Sequence, residues 1–200
     1  MTPDKTTERR TALIRGTEFQ TREDENGERY IEGYFATFQG IYEMGDWGVE
    51  RIDRGAFDES LRADDVRALI NHDTTLVIGR TSAGTLELMT DERGLWGRVH
   101  VNAKDQDAVN CWERVKRGDV TQCSFGFEIL DELTEKLPDG RTQWTLMRVK
   151  LYEVSVCTFP AYEDTAVKAR ERDRADIKRR ELEAWRADML KKIKHKKEDN

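Results

Sequence analysis

Between residues 30 and 37, in "YIEGYFAT", side chains alternate in character, with Ile31, Gly33, Phe35 and Thr37 on one side and Tyr30, Glu32, Tyr34 and Ala36 on the other. That is the period of a strand. A glycine-punctuated strand and loop, "GDWGVERIDRGAF", follows, and "FDESL" then reads as a short helix. In "VRALIN" the apolar residues Val66, Ala68, Leu69 and Ile70 run together, which predicts a buried strand that delivers His72 at its end. "TLVIGRTSAGTLELMTDERGLWGRVHVN" predicts a strand and then a hairpin turning at "DERG". The period changes in "AKDQDAVNCWERVKRGD", where Ala108, Cys111, Trp112 and Val115 share one face of a helix that Gly118 stops. From Val120 strands return as "TQCSFGFEILDE" and "TQWTLMRVKLYEVSVCTFPAY", joined by the turn "LPDGR".

Several strands interrupted by one or two helices predict an α+β fold, mainly β and barrel-like, rather than alternating βαβ units. Ahead of them "TALIRG" is a candidate first strand and Asn26–Gly27 a turn. We expect a mobile arm over 1–24, one domain over 25–164 and a charged helical tail over 165–200. In the tail, 13 Lys or Arg stand against 8 Asp or Glu, with no Gly or Pro. Leu182, Trp185, Met189 and Ile193 recur there every three or four residues. So thin an apolar stripe on a charged rod needs a partner, its own domain or a second copy.

Composition narrows the classes. A chain of 200 residues with 37% apolar and 37% charged residues carries its charge in segments outside one core. The net charge of −6 argues against a specific nucleic-acid partner. No run approaches a membrane span, and "MTPDKTTERRTALIRG" lacks the apolar centre of a signal peptide, so a soluble compartment and no membrane partner are expected. Cys111, Cys123 and Cys157 form no CxxC pair, so neither a metal site nor a disulfide framework is indicated, and no cofactor is expected.

Of three histidines, only His72 joins an apolar run to polar neighbours; His195 lies among lysines and His100 alternates along a strand. A histidine can act as a base near neutral pH, and a serine needs such a base within hydrogen-bond reach. Ser124, in "VTQCSFGFEI", is a candidate, although Gln122 stands where G-x-S-x-G requires glycine. On spacing alone, both residues read first as polar groups of a sheet. Glu153 is an acid in the apolar strand "LYEVSV", either an orienter for an imidazole or an outward-facing residue. Cys123 is a rival nucleophile, and strand alternation puts it on the face opposite Ser124.

Taken in order, "DRGAFDESL", "LINHD" with "IGR", "QCSFGF" and "LYEVSVCTFPAY" resemble the prohead maturation proteases of tailed bacteriophages, relatives of the herpesvirus assemblins, over roughly 25 to 165. The resemblance implies a closed or nearly closed β-barrel flanked by helices. It implies a serine endopeptidase that cleaves scaffold or capsid-protein extensions, and itself, inside the immature capsid in the host cytoplasm. Its partners would be the major capsid protein with its scaffold region, and further copies of itself as a dimer or higher oligomer. The histidine of the family's N-H-D-like motif falls on His72 and the nucleophile of its S-x-G-F motif on Ser124. For the third catalytic member, where the herpesvirus relatives use a second histidine, Glu153 is chosen over Asp73 and Glu163. The alternatives are an inactive protease-like internal scaffold of the prohead and a small serine esterase.

Face alternation yields a first prediction. Cys123→Ala should leave proteolysis intact and Ser124→Ala should abolish it, as read by gel analysis of cleaved substrate; the reverse pattern would put the nucleophile on the wrong face.

Overall fold

A computed structural model describes residues 19–44 and 46–159, the backbone of Arg9–Arg10, and helical positions 179, 182–183 and 185–187. Two compact units are distinguished, Met1–Glu163 and Asp164–Asn200.

In the first unit, β2 (Gln20–Glu23) pairs with β3 (Arg29–Thr37) around the Asn26–Gly27 turn, where the Asp24 carboxylate accepts the amides of Asn26 and Glu28 at 2.9 Å each. An ordered strand therefore lies inside the stretch read as an arm, while "TALIRG" lies outside the described residues. The sheet continues through β9 (Gly94–Val101) to β8 (Leu86–Thr90), with the expected hairpin at "DERG". The alternation read for β3 holds up to Phe35. There a bulge shifts the register between Tyr34 and Ala36, and Ala36 joins Phe35 in the core instead of facing out.

Among the described residues the second sheet has seven strands. Its path runs from β1 (Arg9–Arg10) through β10 (Gln122–Lys136), β11 (Thr142–Cys157) and β5 (Gly48–Ile52) to β4 (Tyr42–Glu43). The C-terminal half of β11 pairs in parallel with β6 (Arg67–Ile70), which in turn pairs with β7 (Asp73–Arg80). β10 and β11 form a long hairpin turning at Leu137–Arg141, so the "LPDGR" turn is as read. The expected closure into a barrel is not found among the described residues. β7 and β8, joined by a tight turn over 81–84, lie in different sheets.

Between the sheets lies one core, centred on Ile31, Phe35, Phe57, Leu95, Val99, Phe125, Phe127, Val154 and Val156. Helix α1 (Asp58–Ala63) is pinned to β11 through Ser60, whose hydroxyl accepts the Leu151 amide at 2.7 Å and donates to Asp64 at 2.6 Å. Helix α2 (Gln106–Arg117) buries Ala108, Cys111, Trp112 and Val115, the face its period predicts. The Asp105 side chain accepts the amides of Asp107 and Ala108 at its start, and Gly118, at φ 79°, ends it in the left-handed region.

In the second unit the described positions are helical, and Leu182 and Trp185 are exposed. Met189 and Ile193 lie outside the described residues.

Removing the α2 cap by Asp105→Ala should cost about 1 kcal/mol of stability, read as a lower urea midpoint with an unchanged slope.

Candidate active site

Three adjacent strands of the larger sheet, in the order β6, β11, β10, bring distant parts of the chain together. Ser124 on β10 is opposite Ser155 on β11, which is opposite Leu69 on β6; in the neighbouring row Gly126, Glu153 and Arg67 are aligned. Residues opposite one another in a ladder share a face, so Ser124, Gly126, Glu153 and Ser155 project to the same side. Cys123 projects to the other, where its thiol donates to the Tyr34 carbonyl at 3.1 Å beneath the opposite sheet. The end of β11 is buried on both faces, from Glu153 through Cys157, as strands flanked on both sides often are. The alternative of an outward-facing Glu153 is thereby excluded.

His72 arrives from β6, but on a turn rather than on the strand itself. Ile70 pairs with Asp73, leaving a two-residue loop, Asn71–His72, with φ of 53° and 60°. Two consecutive positive φ values are the requirement of a type I′ hairpin, for which Asn is a favoured first residue and His an unusual second. The turn is held to the end of β11 by the Asn71 amide on the Val156 carbonyl at 3.0 Å and the Thr158 amide on Asn71 Oδ1 at 2.8 Å. A third tie comes from the His72 amide, which donates to Ser155 Oγ at 3.2 Å.

So placed, His72 Nδ1 stands 2.6 Å from Glu153 Oε1, with 13% of the histidine and 9% of the glutamate side chain exposed. The second carboxylate oxygen, Oε2, accepts from Ser155 Oγ at 2.6 Å. Both oxygens of a nearly buried carboxylate are therefore hydrogen-bonded, which is what makes its burial tolerable. A carboxylate on one ring nitrogen fixes the proton on Nδ1 and leaves the lone pair on Nε2. Nε2 is buried without a hydrogen-bond partner among the described residues. Gly126 supplies the space: a Cβ there would lie 2.4 Å from Glu153 Oε1. Ser124, one strand across from Ser155, is fully buried.

The remaining candidates lie elsewhere. Asp73 is exposed and turned to Thr75, whose hydroxyl and then amide hold its carboxyl below the usual range. His100 is a surface residue, 2.6 Å from Glu28 and stacked on Tyr30. Glu163 and His195 lie outside the described residues. Burial and then the Glu153 charge push the Cys157 thiol up to about 12, so it stays protonated and unreactive. Among the described residues no three His, Cys, Asp or Glu gather as a metal site. An open cleft of about 460 Å³ near Arg51, Asp53 and Gln143 lies towards the other end of β11.

Ser155 and Gly126 are the residues that sequence reading missed. Each had a signal, because Glu153 and Ser155 are two apart in a strand and so share a face, as do Ser124 and Gly126.

Compared with known proteins, residues 17–180 match the sequence model of the caudovirus prohead serine proteases. The prohead protease of enterobacteria phage HK97 is 27% identical over 162 residues, covering 80% of this chain and 69% of that protein. No solved structure matches.

Ser155→Ala leaves Glu153 Oε2 without its donor, and should lower stability by about 1–3 kcal/mol in urea unfolding. A loss below a few tenths would show that solvent replaces the hydroxyl.

Proposed function

The chain belongs to the caudovirus prohead serine proteases, and from that membership we propose that His72, Ser124 and Glu153 are the catalytic residues of this capsid-maturation protease. The observation that carries the assignment is the contact of Glu153 with His72 Nδ1 on the face that Ser124 shares.

In this reading Ser124 Oγ attacks the carbonyl carbon of a peptide bond while His72 Nε2 removes its proton. The imidazolium that forms lies against the Glu153 carboxylate, which stabilises its charge and keeps the ring oriented. As the tetrahedral intermediate collapses, Nε2 returns the proton to the departing amine, and water completes the second half by the same route. Ser155 acts on the carboxylate and on the backbone of the His72 turn, not on substrate.

Substrate and partner follow from the family: scaffold or capsid-protein extensions inside the immature capsid, in the host cytoplasm, with the protease also cutting itself and associating with further copies. The 165–200 tail fits a recruiting helix, since Leu182 and Trp185 offer exposed apolar surface on a basic segment. An inert scaffold is not favoured. The matching family and the similar phage protein are both proteases, which favours activity over an inert scaffold.

Co-expression with the capsid protein should give shortened capsid chains with the wild type and none with His72→Ala or Ser124→Ala, a loss of about 10³-fold or more. Shortened chains in both variants would overturn the assignment.

A further inference from the structure

The face of β10 that carries Ser124 also carries Gln122 and Gly126, opposite Cys157, Ser155 and Glu153 of β11. The first register shift in this ladder comes after Gly126, so strict alternation holds over 122–126. Gln122 is also the residue that stands where G-x-S-x-G requires glycine, and it puts a carboxamide two positions from the serine. On β11 both Glu153 oxygens and the Ser155 hydroxyl are hydrogen-bonded, and the Cys157 thiol, opposite Gln122, donates to the Ser155 carbonyl at 3.8 Å. Gln122 Oε1 differs from these groups, being buried without a hydrogen-bond partner among the described residues. Four side-chain atoms among the described residues are in that state, and two of them, Gln122 Oε1 and His72 Nε2, belong to residues of this site.

We propose that Gln122 is a substrate-binding residue of the protease, whose Oε1 accepts a main-chain N–H of the peptide being cut. The proposal rests on the reading of Ser124 as nucleophile. Buried acceptors are as a rule paired. The His72 lone pair has its use in taking the serine proton, and the Gln122 oxygen calls for a donor that arrives with the substrate. Residues two apart on a strand are separated by about 7 Å, so a glutamine side chain lies within reach of the residues flanking a carbonyl held at Ser124. The donor is main-chain, because every residue except proline carries that N–H whatever its side chain. A glutamine with a purely structural role makes the opposite prediction: its removal would cost stability and leave substrate binding unaltered.

The test compares the full chain with its Gln122→Met variant, which keeps the length of the side chain and removes the unpaired acceptor. The urea midpoint should hold or rise, while kcat/KM falls about tenfold to a hundredfold, through KM with kcat unchanged. The substrate is a peptide spanning the cut that mass spectrometry locates in capsid chains from the co-expression. Its main-chain N–H groups on either side of the scissile bond are replaced by ester oxygen one at a time. One such ester should cost the wild type about tenfold and the Met variant less than about twofold, the coupling expected of two groups in direct contact. Where the wild type does not cut the free peptide, the rate at which co-expressed capsid chains shorten gives the same comparison, about tenfold slower in Gln122→Met. Equal activity in both chains, or esters that cost both chains alike, overturns the proposal. So does a variant that unfolds or loses urea midpoint, because the carboxamide then serves the fold. His72→Ala and Ser124→Ala read the catalytic assignment, so a Gln122→Met chain as active as the wild type defeats this inference alone.

Discussion

The carboxylate of Glu153 is the constraint around which this part of the fold is arranged. It is nearly buried, and each of its oxygens is bound at 2.6 Å, one by the His72 ring and one by the Ser155 hydroxyl. Leaving such a group without one of its hydrogen-bond partners costs about 1–3 kcal/mol. Four local features serve it: the absent side chain at Gly126, the hydroxyl at Ser155, the turn that swings His72 back, and the two-sided burial of β11.

Bringing these groups together is a matter of topology. β11 is antiparallel to β10 through a hairpin but parallel to both β5 and β6, so its parallel neighbours come from far upstream. The chain between β5 and β6 docks on β11 through Ser60 of α1, which accepts the Leu151 amide, and through the Ala56 carbonyl ahead of the helix, which accepts the Val149 amide. His72 sits in a left-handed conformation that costs a non-glycine residue of order 1–3 kcal/mol. The amides and side chains of Asn71, His72 and Thr158 that tie the turn to β11 offset that cost.

How much of this could be read beforehand varied with the range of the interaction. The α2 face, its cap region, the "DERG" and "LPDGR" turns and the strand character of β3, β6 and β9 follow from neighbours within a few residues, and the structure shows each of them. The bulge at Phe35 was not legible, because Ala36 is apolar enough for either face and the shift is set by pairing with Leu95. Barrel closure likewise depends on whether ladders join across a turn, which no local period encodes. Ser155 was overlooked because a serine in an apolar strand looks like dilution of the core until the carboxylate beside it is known to be buried.

Alternation alone determined that Cys123 and Ser124 occupy opposite faces, since the pleat has a period of two wherever the strand lies. The order of the motifs shared with the family pointed to His72 and Ser124 as candidates, with Glu153 chosen over Asp73 and Glu163 for the third place. Which face was buried, which nitrogen of His72 met the carboxylate, and that Ser155 completed its shell were decided only by tertiary structure. The first two depend on strands that meet from distant parts of the chain, with 81 positions separating His72 and Glu153. Free energies of that kind arise from burial and pairing across strands, and a linear pattern carries no record of which strands will meet.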